Sequence, residues 1–259
     1  MSNKQKEIFR ILSAALVILG VAVLAIGQTG PVTPHQSDAG NQGANVKSNE
    51  RQQPAQTPPA RREENKRPPD PTKYSYEFTQ PQFTTSHIVI EHDASGRGKI
   101  TFERLGEATP IVEPVELSTA ALGRILGLWS DLHFLDSAES YQADKQFPHL
   151  GTVKVQMDDG KRKRTAEFNW TNNKLASALV NEYRRVADQA ALVFDLAVAR
   201  ENQPLNAPKL MDQFEILLTR SGLSDPYQLV PLLRDLTVDE HLPLMARNHA
   251  TRLLKRIEK

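Results

Sequence analysis

The sequence predicts an α+β protein: an N-terminal transmembrane helix, a disordered Pro-rich linker, an antiparallel sheet of about five strands packed with helices, and a C-terminal helical segment. Three observations predict it. Residues 11–27 form an uninterrupted apolar run, residues 28–72 lack large apolar side chains, and from Tyr74 onward hydrophobicity alternates first with period two and later with period 3.6.

The tip, residues 1–10, carries Lys4, Lys6 and Arg10 against Glu7. The run ILSAALVILGVAVLAIG follows, and no Asp, Glu, Lys or Arg occurs from Ile11 to Ser37. Seventeen helical residues reach roughly 25 Å, close to the ~30 Å hydrocarbon core. Basic residues before the run and none after it until Lys47 place the N-terminus in the cytoplasm and the rest outside. The expected location is therefore the cell inner membrane, single-pass, with a periplasmic or extracytoplasmic C-terminal domain. Ala25-Ile26-Gly27 also satisfies a small-x-small cleavage site, so secretion after cleavage near Gly27 is the alternative.

Residues 28–72 hold eight of the 17 prolines and no Leu, Ile, Met, Phe, Tyr or Trp. Such a segment cannot offset its ordering entropy by burial, so it reads as a disordered spacer. Extended, it would reach on the order of 100 Å.

The folded part is read as residues 73–201, an α+β domain, and 202–259, a helical hairpin segment. Five segments alternate. They are Tyr74/Tyr76/Phe78, Ile88/Ile90, Ile100/Phe102, Val153/Val155/Met157 and Ala166/Phe168/Trp170. Asp93–Gly98 and Asp158–Gly160 supply hairpin connections. Ser118 caps a helix with Leu122, Ile125, Leu126, Trp129 and Leu132 on one stripe. After Thr171-Asn172-Asn173, a long helix runs to about Arg200, with Glu182, Arg184, Arg185 and Asp188 on its solvated side. Pro208 opens a helix that ends at Gly222, and Asp225-Pro226 opens the next. Thr237–Glu240 has capping-box spacing, and Pro243 forces a restart near Leu242.

Composition limits the chemistry. There are no cysteines, which removes disulfides, thiolate metal sites and thiol nucleophiles. Residues 73–259 carry 23 basic and 25 acidic residues, net −2, so no nucleic acid is expected as a partner. The seven histidines show no metal-ligand spacing, and His92 falls on the Ile88/Ile90 face at a strand end. No metal or cofactor is expected. Ser95-Gly96-Arg97-Gly98-Lys99 lacks the spacing of a phosphate loop and reads as a turn. No Gly-x-Ser-x-Gly elbow occurs. Lys161–Arg164 reads as a solvated basic hairpin edge that discourages strand-to-strand aggregation. The stretch Asp136–Leu150 is long, aperiodic and contains aromatics, which suggests a binding loop or a loop pinned to the sheet's edge. Its candidate binding residues are Tyr141, Asp144, Phe147 and His149.

The stretches IEHDASGRGKITFER, KQFPHLGTVKVQ, AEFNWTNNK, NEYRRVADQA and ARNHATRLLKRIEK resemble membrane-anchored bacterial proteins to which no activity is assigned. The resemblance spans most of Tyr74–Lys259, implies a bacterial envelope setting and carries over no functional residue. Pro226–Leu236 with Pro243–Ile257 resembles a single HEAT-type hairpin. The plan of short tip, anchor, Pro-rich spacer and end domain resembles TonB, but residues 11–27 lack the His usual in that family's membrane helix. The expected function is a single-pass, membrane-anchored extracytoplasmic binding or scaffolding protein of the envelope, with an envelope protein or polymer as partner. An exported envelope hydrolase is the alternative.

Overall fold

The computed structural model describes residues 70–259. The expected cytoplasmic tip, membrane helix and all but the last three residues of the expected linker lie outside the described residues. No helix among the described residues is long and apolar enough to cross a membrane.

Six antiparallel strands form one sheet, packed with five helices. The strands are β1 (Lys73–Thr79), β2 (Thr85–Asp93), β3 (Arg97–Arg104), β4 (Ile111–Glu116), β5 (Thr152–Asp158) and β6 (Lys163–Phe168), in the spatial order β4-β3-β2-β1-β5-β6. The helices are α1 (Thr119–Asp131), α2 (Lys174–Asn202), α3 (Ala207–Thr219), α4 (Val230–Val238) and α5 (Leu244–Ile257).

The sequence pattern anticipates five of the six strands. The additional strand, β4, has the sequence IVEPVE and sits at the sheet's edge opposite β3. Its Pro114 lacks an N–H and so fits only an edge strand, where one side of the backbone needs no partner. Alternation works elsewhere because one face is buried. Tyr76, Ile90, Ile100, Phe102, Val155 and Phe168 all turn toward the helices and are nearly inaccessible. Burying each such side chain contributes roughly 1.5–3 kcal/mol. The hairpins close as expected, with Gly96 and Gly160 at positive φ.

Ser118 caps α1 by accepting from the Ala121 N–H at 3.1 Å, and Asn173 caps α2 by accepting from Leu175 and Ala176. At the end of α3, Ser221, not Gly222, takes the left-handed conformation (φ 55°). The Gly222 N–H then reaches Leu217 O at 2.7 Å and the Ser221 N–H reaches Leu218 O, a Schellman ending. No capping box forms at Thr237–Glu240. Thr237 lies within α4 and its hydroxyl donates to Arg234 O, because a 3-10 turn at Pro226–Leu229 starts this helix late.

Two hydrophobic clusters share α2. Leu179, Tyr183 and Val186 pack on the sheet with α1, whereas Leu192, Leu196 and Ala199 pack with α3, α4 and α5. Polar contacts join the two regions. Arg124 donates to Ser224 O at 2.7 Å and to Glu182 at 3.0 Å, and Gln228 donates to Glu116 O at 3.1 Å. Glu182, expected on the solvated side of α2, is instead buried between Arg124 and Arg185, which turns its charge inward as a clamp.

Candidate functional site

The loop Asp136–Leu150 is held by the basic hairpin edge. Arg164 of β6 places its guanidinium 4.5 Å from the Phe134 ring and 5.2 Å from the Tyr141 ring. It donates to Phe134 O at 2.5 Å and also to Glu139 O. Arg162 pairs with Asp136 and Asp159. Lys161, Arg162 and Lys163 of the expected solvated basic edge are exposed, and Arg164 alone is drawn into internal contacts. Tyr141 adopts φ 58°, a strained conformation for an aromatic residue, and is buried between Phe134 and Phe168. Asn169 accepts from the Phe147 N–H at 3.1 Å, and Gln142 accepts from the Asn169 N–H at 2.9 Å.

The four candidate binding residues separate. Tyr141 faces inward. Asp144 and His149 are exposed and Phe147 is half-buried. Phe147 lies edge-on to Trp170 (centroids 5.2 Å apart) and to His149 (6.0 Å), with Lys145 Nζ 4.9 Å from its ring. Trp170 lies beyond the end of β6 and is 44% exposed, although its alternation with Phe168 suggested an inward position.

Trp170 marks one end of a solvent-open groove of about 970 Å³ between the sheet and α2. Its floor is Phe78, Ile88, Phe102, Val153 and Phe168. One wall is the β1–β2 connection, Gln82–Thr85, and the other is Ser177, Val180, Asn181, Arg184, Ala187 and Asp188 of α2. The wall is fixed by Gln80, whose amide donates to His149 O at 2.7 Å and Pro148 O at 3.3 Å. Gly151 permits the closeness of this turn, because its φ is +87° and a Cβ there would lie 2.7 Å from the Phe78 ring. A second depression of about 430 Å³ continues past the shared residues Thr84, Thr85, Asp188 and Ala191. There Arg104 grips Asp195 with two bonds, at 2.6 and 3.3 Å.

Electrostatics within the groove are uneven. Asp188 keeps nearly half of its side chain accessible (47%), and partial desolvation by the groove walls raises its carboxyl above the usual carboxylate range, with Arg220 and Arg184 opposing. Burial pushes the Tyr76 phenol up to about 12, again against Arg184. Arg184 lies 5.8 Å from the Phe78 ring and forms no ion pair among the described residues.

No family model matches the chain, and no significantly similar curated protein was found.

The groove residues Phe83, Arg184 and Asp188 escaped the sequence reading. Arg184 and Asp188 are four apart on one helical face, expected on the solvated side, and both are exposed there; nothing in the helix pattern tells that this face borders a groove. Among the described residues, no group of three or more His, Asp or Glu side chains could hold a metal ion.

Proposed function

We propose that the chain is a single-pass, membrane-anchored extracytoplasmic binding or scaffolding protein of the bacterial envelope, and that the groove beside α2 seats its partner. The observation that carries the binding reading is an open groove of about 970 Å³ with an apolar floor and two exposed aromatics, Phe83 and Trp170, at its rim. Exposed large apolar groups around a concavity are a feature of interaction sites. The location rests on the apolar run 11–27, preceded by Lys4, Lys6 and Arg10. The hydrolase reading draws less support, since the groove's hydroxyls (Tyr76, Thr84, Thr85, Thr171 and Ser177) share its lining with no histidine among the described residues.

The test is photocrosslinking in intact cells, with the full-length chain carrying a photoreactive phenylalanine at position 83 or 170 and a tag after Lys259. The expected result is a discrete membrane-fraction adduct, lost when Ser177→Trp fills the groove. A C-terminal phosphatase reporter that folds only outside the cytosol should be active. An inactive phosphatase reporter, or adducts indifferent to Ser177→Trp, would overturn the reading.

A further inference from the structure

We propose that the groove's occupant is an extended peptide segment of another envelope protein that carries a carboxylate beside apolar side chains, with the carboxylate on Arg184 and the apolar groups on Phe78, Phe83 and Trp170. This inference rests on the binding reading above and names the partner's chemistry.

Charge complementarity is the first argument. Five charged side chains line the groove and its continuation. Arg104 is taken by Asp195 at 2.6 Å and Arg220 faces Asp188 at 3.4 Å. Arg184 makes no ion pair among the described residues; its charge acts on Asp188 and on the Tyr76 hydroxyl but stays exposed above the Phe78 ring at the edge of the apolar floor. A guanidinium in that position recognises a carboxylate, by two parallel N–H donors if the approach is planar.

Shape and rim chemistry are the second argument. The two depressions share four residues and so adjoin, and a linear ligand running from one into the other would suit them. Its rims carry Gln82, Thr84 and Thr85 on one side and Ser177 and Asn181 on the other. Facing rows of amides and hydroxyls can satisfy the N–H and C=O groups of an extended backbone, whereas an acyl chain has no use for them. A neutral saccharide could accept from Arg184 but would leave its charge uncompensated.

The experiment uses the full-length chain in nanodiscs and fluorescence anisotropy. The probes are dye-labelled, end-blocked octapeptides of alternating Phe/Leu and Glu, and their Gln and Lys counterparts. Laurate and an oligogalacturonate serve as competitors for the lipid and saccharide alternatives. The Glu peptide is expected to bind about tenfold tighter than the Gln peptide, with the Lys peptide weakest. Arg184→Gln should erase the Glu-over-Gln preference while leaving Tm unchanged, and Arg184→Lys should restore part of it. Equal binding of Glu and Lys peptides, an unchanged preference in Arg184→Gln, or binding of laurate or galacturonate alone would overturn the proposal. If the peptides fail while the crosslinks at positions 83 and 170 persist, the peptide assignment falls and the binding reading stands. If both fail, both fall.

Discussion

Replacing Tyr183 with Phe removes one oxygen from the centre of the sheet-facing core and should cost about 2–4 kcal/mol. Tyr183 is fully buried, and its hydroxyl accepts from Trp129 Nε1 at 3.0 Å and contacts His92 Nε2 at 2.9 Å. The other His92 nitrogen, Nδ1, lies 2.8 Å from Asp93 O, and a carbonyl can only accept. Nδ1 must therefore carry the proton, Nε2 is a bare acceptor, and the Tyr183 hydroxyl donates to it. The relay Trp129 to Tyr183 to His92 to Asp93 O has one arrangement of hydrogens with the imidazole neutral. Tyr183→Phe leaves the indole N–H and Nε2 without partners, at about 1–3 kcal/mol each, partly offset because the hydroxyl no longer needs desolvating. For a body of this size Tm should fall by roughly 5–15 °C. Denaturant unfolding with an unchanged m-value is the assay, and Tyr227→Phe, on the exposed surface, is the control expected to stay within about 0.5 kcal/mol. A loss for Tyr183→Phe no larger than that of the control would refute the relay. The same geometry sets a pH dependence. Burial lowers the His92 pKa below its ordinary 6.5, with the Asp93 contact opposing. The unfolded chain then takes up this proton first, so the His92 contribution holds above about pH 6.5 and declines as pH falls below it.

Three further outcomes follow from other parts of the molecule. His87 behaves oppositely, since burial is outweighed by Glu103 at 3.1 Å and Glu77 at 3.0 Å and its pKa is raised above 6.5. Its stabilisation is complete below pH 6.5 and is lost as pH rises through the elevated value, so the difference in stability between the parent and His87→Gln should shrink between pH 6 and 8 in paired melts. Arg164→Gln removes the guanidinium from two rings and two carbonyls. It should cost about 1–3 kcal/mol and speed amide exchange at Ala143 and Phe147, whereas an unchanged exchange pattern would show that the loop holds itself. Gly151→Ala combines positive φ with a Cβ 2.8 Å from Thr79 O. It should destabilise by at least about 1 kcal/mol and weaken groove-dependent crosslinking, and parental stability and capture would exclude the close approach.

The strands were legible where one face is buried, because alternation records that asymmetry directly. β4 was not, since Glu113 and Pro114 interrupt its apolar positions and an edge strand has only half a neighbourhood to satisfy. The helix starts at Ser118 and Asn173 were legible because a cap is local chemistry. The late start of α4 depends on a 3-10 turn that competes with the Pro226 signal. The groove was illegible for a different reason. Its lining comes from the first two strands, their connection, three later strands and one helix, and no short window holds more than a fragment of it. Phe83 is a lone aromatic in a polar turn, which was the one available hint. The fate of Arg164 was equally hidden, because charge patterning treats a basic run as solvated unless an aromatic ring waits across the loop.

The 29 residues of α2 make a rod about 43 Å long whose two halves belong to different apolar clusters. That shared rod removes any natural seam at which evolution, a protease or an engineer could detach the last quarter of the polypeptide. A chain cut after Asn202 would carry a bare greasy spar in Leu192, Leu196 and Ala199, inviting clumping instead of a smaller working protein. The terminal helices thus act as a permanent sheath for a strut whose other half forms one bank of the groove.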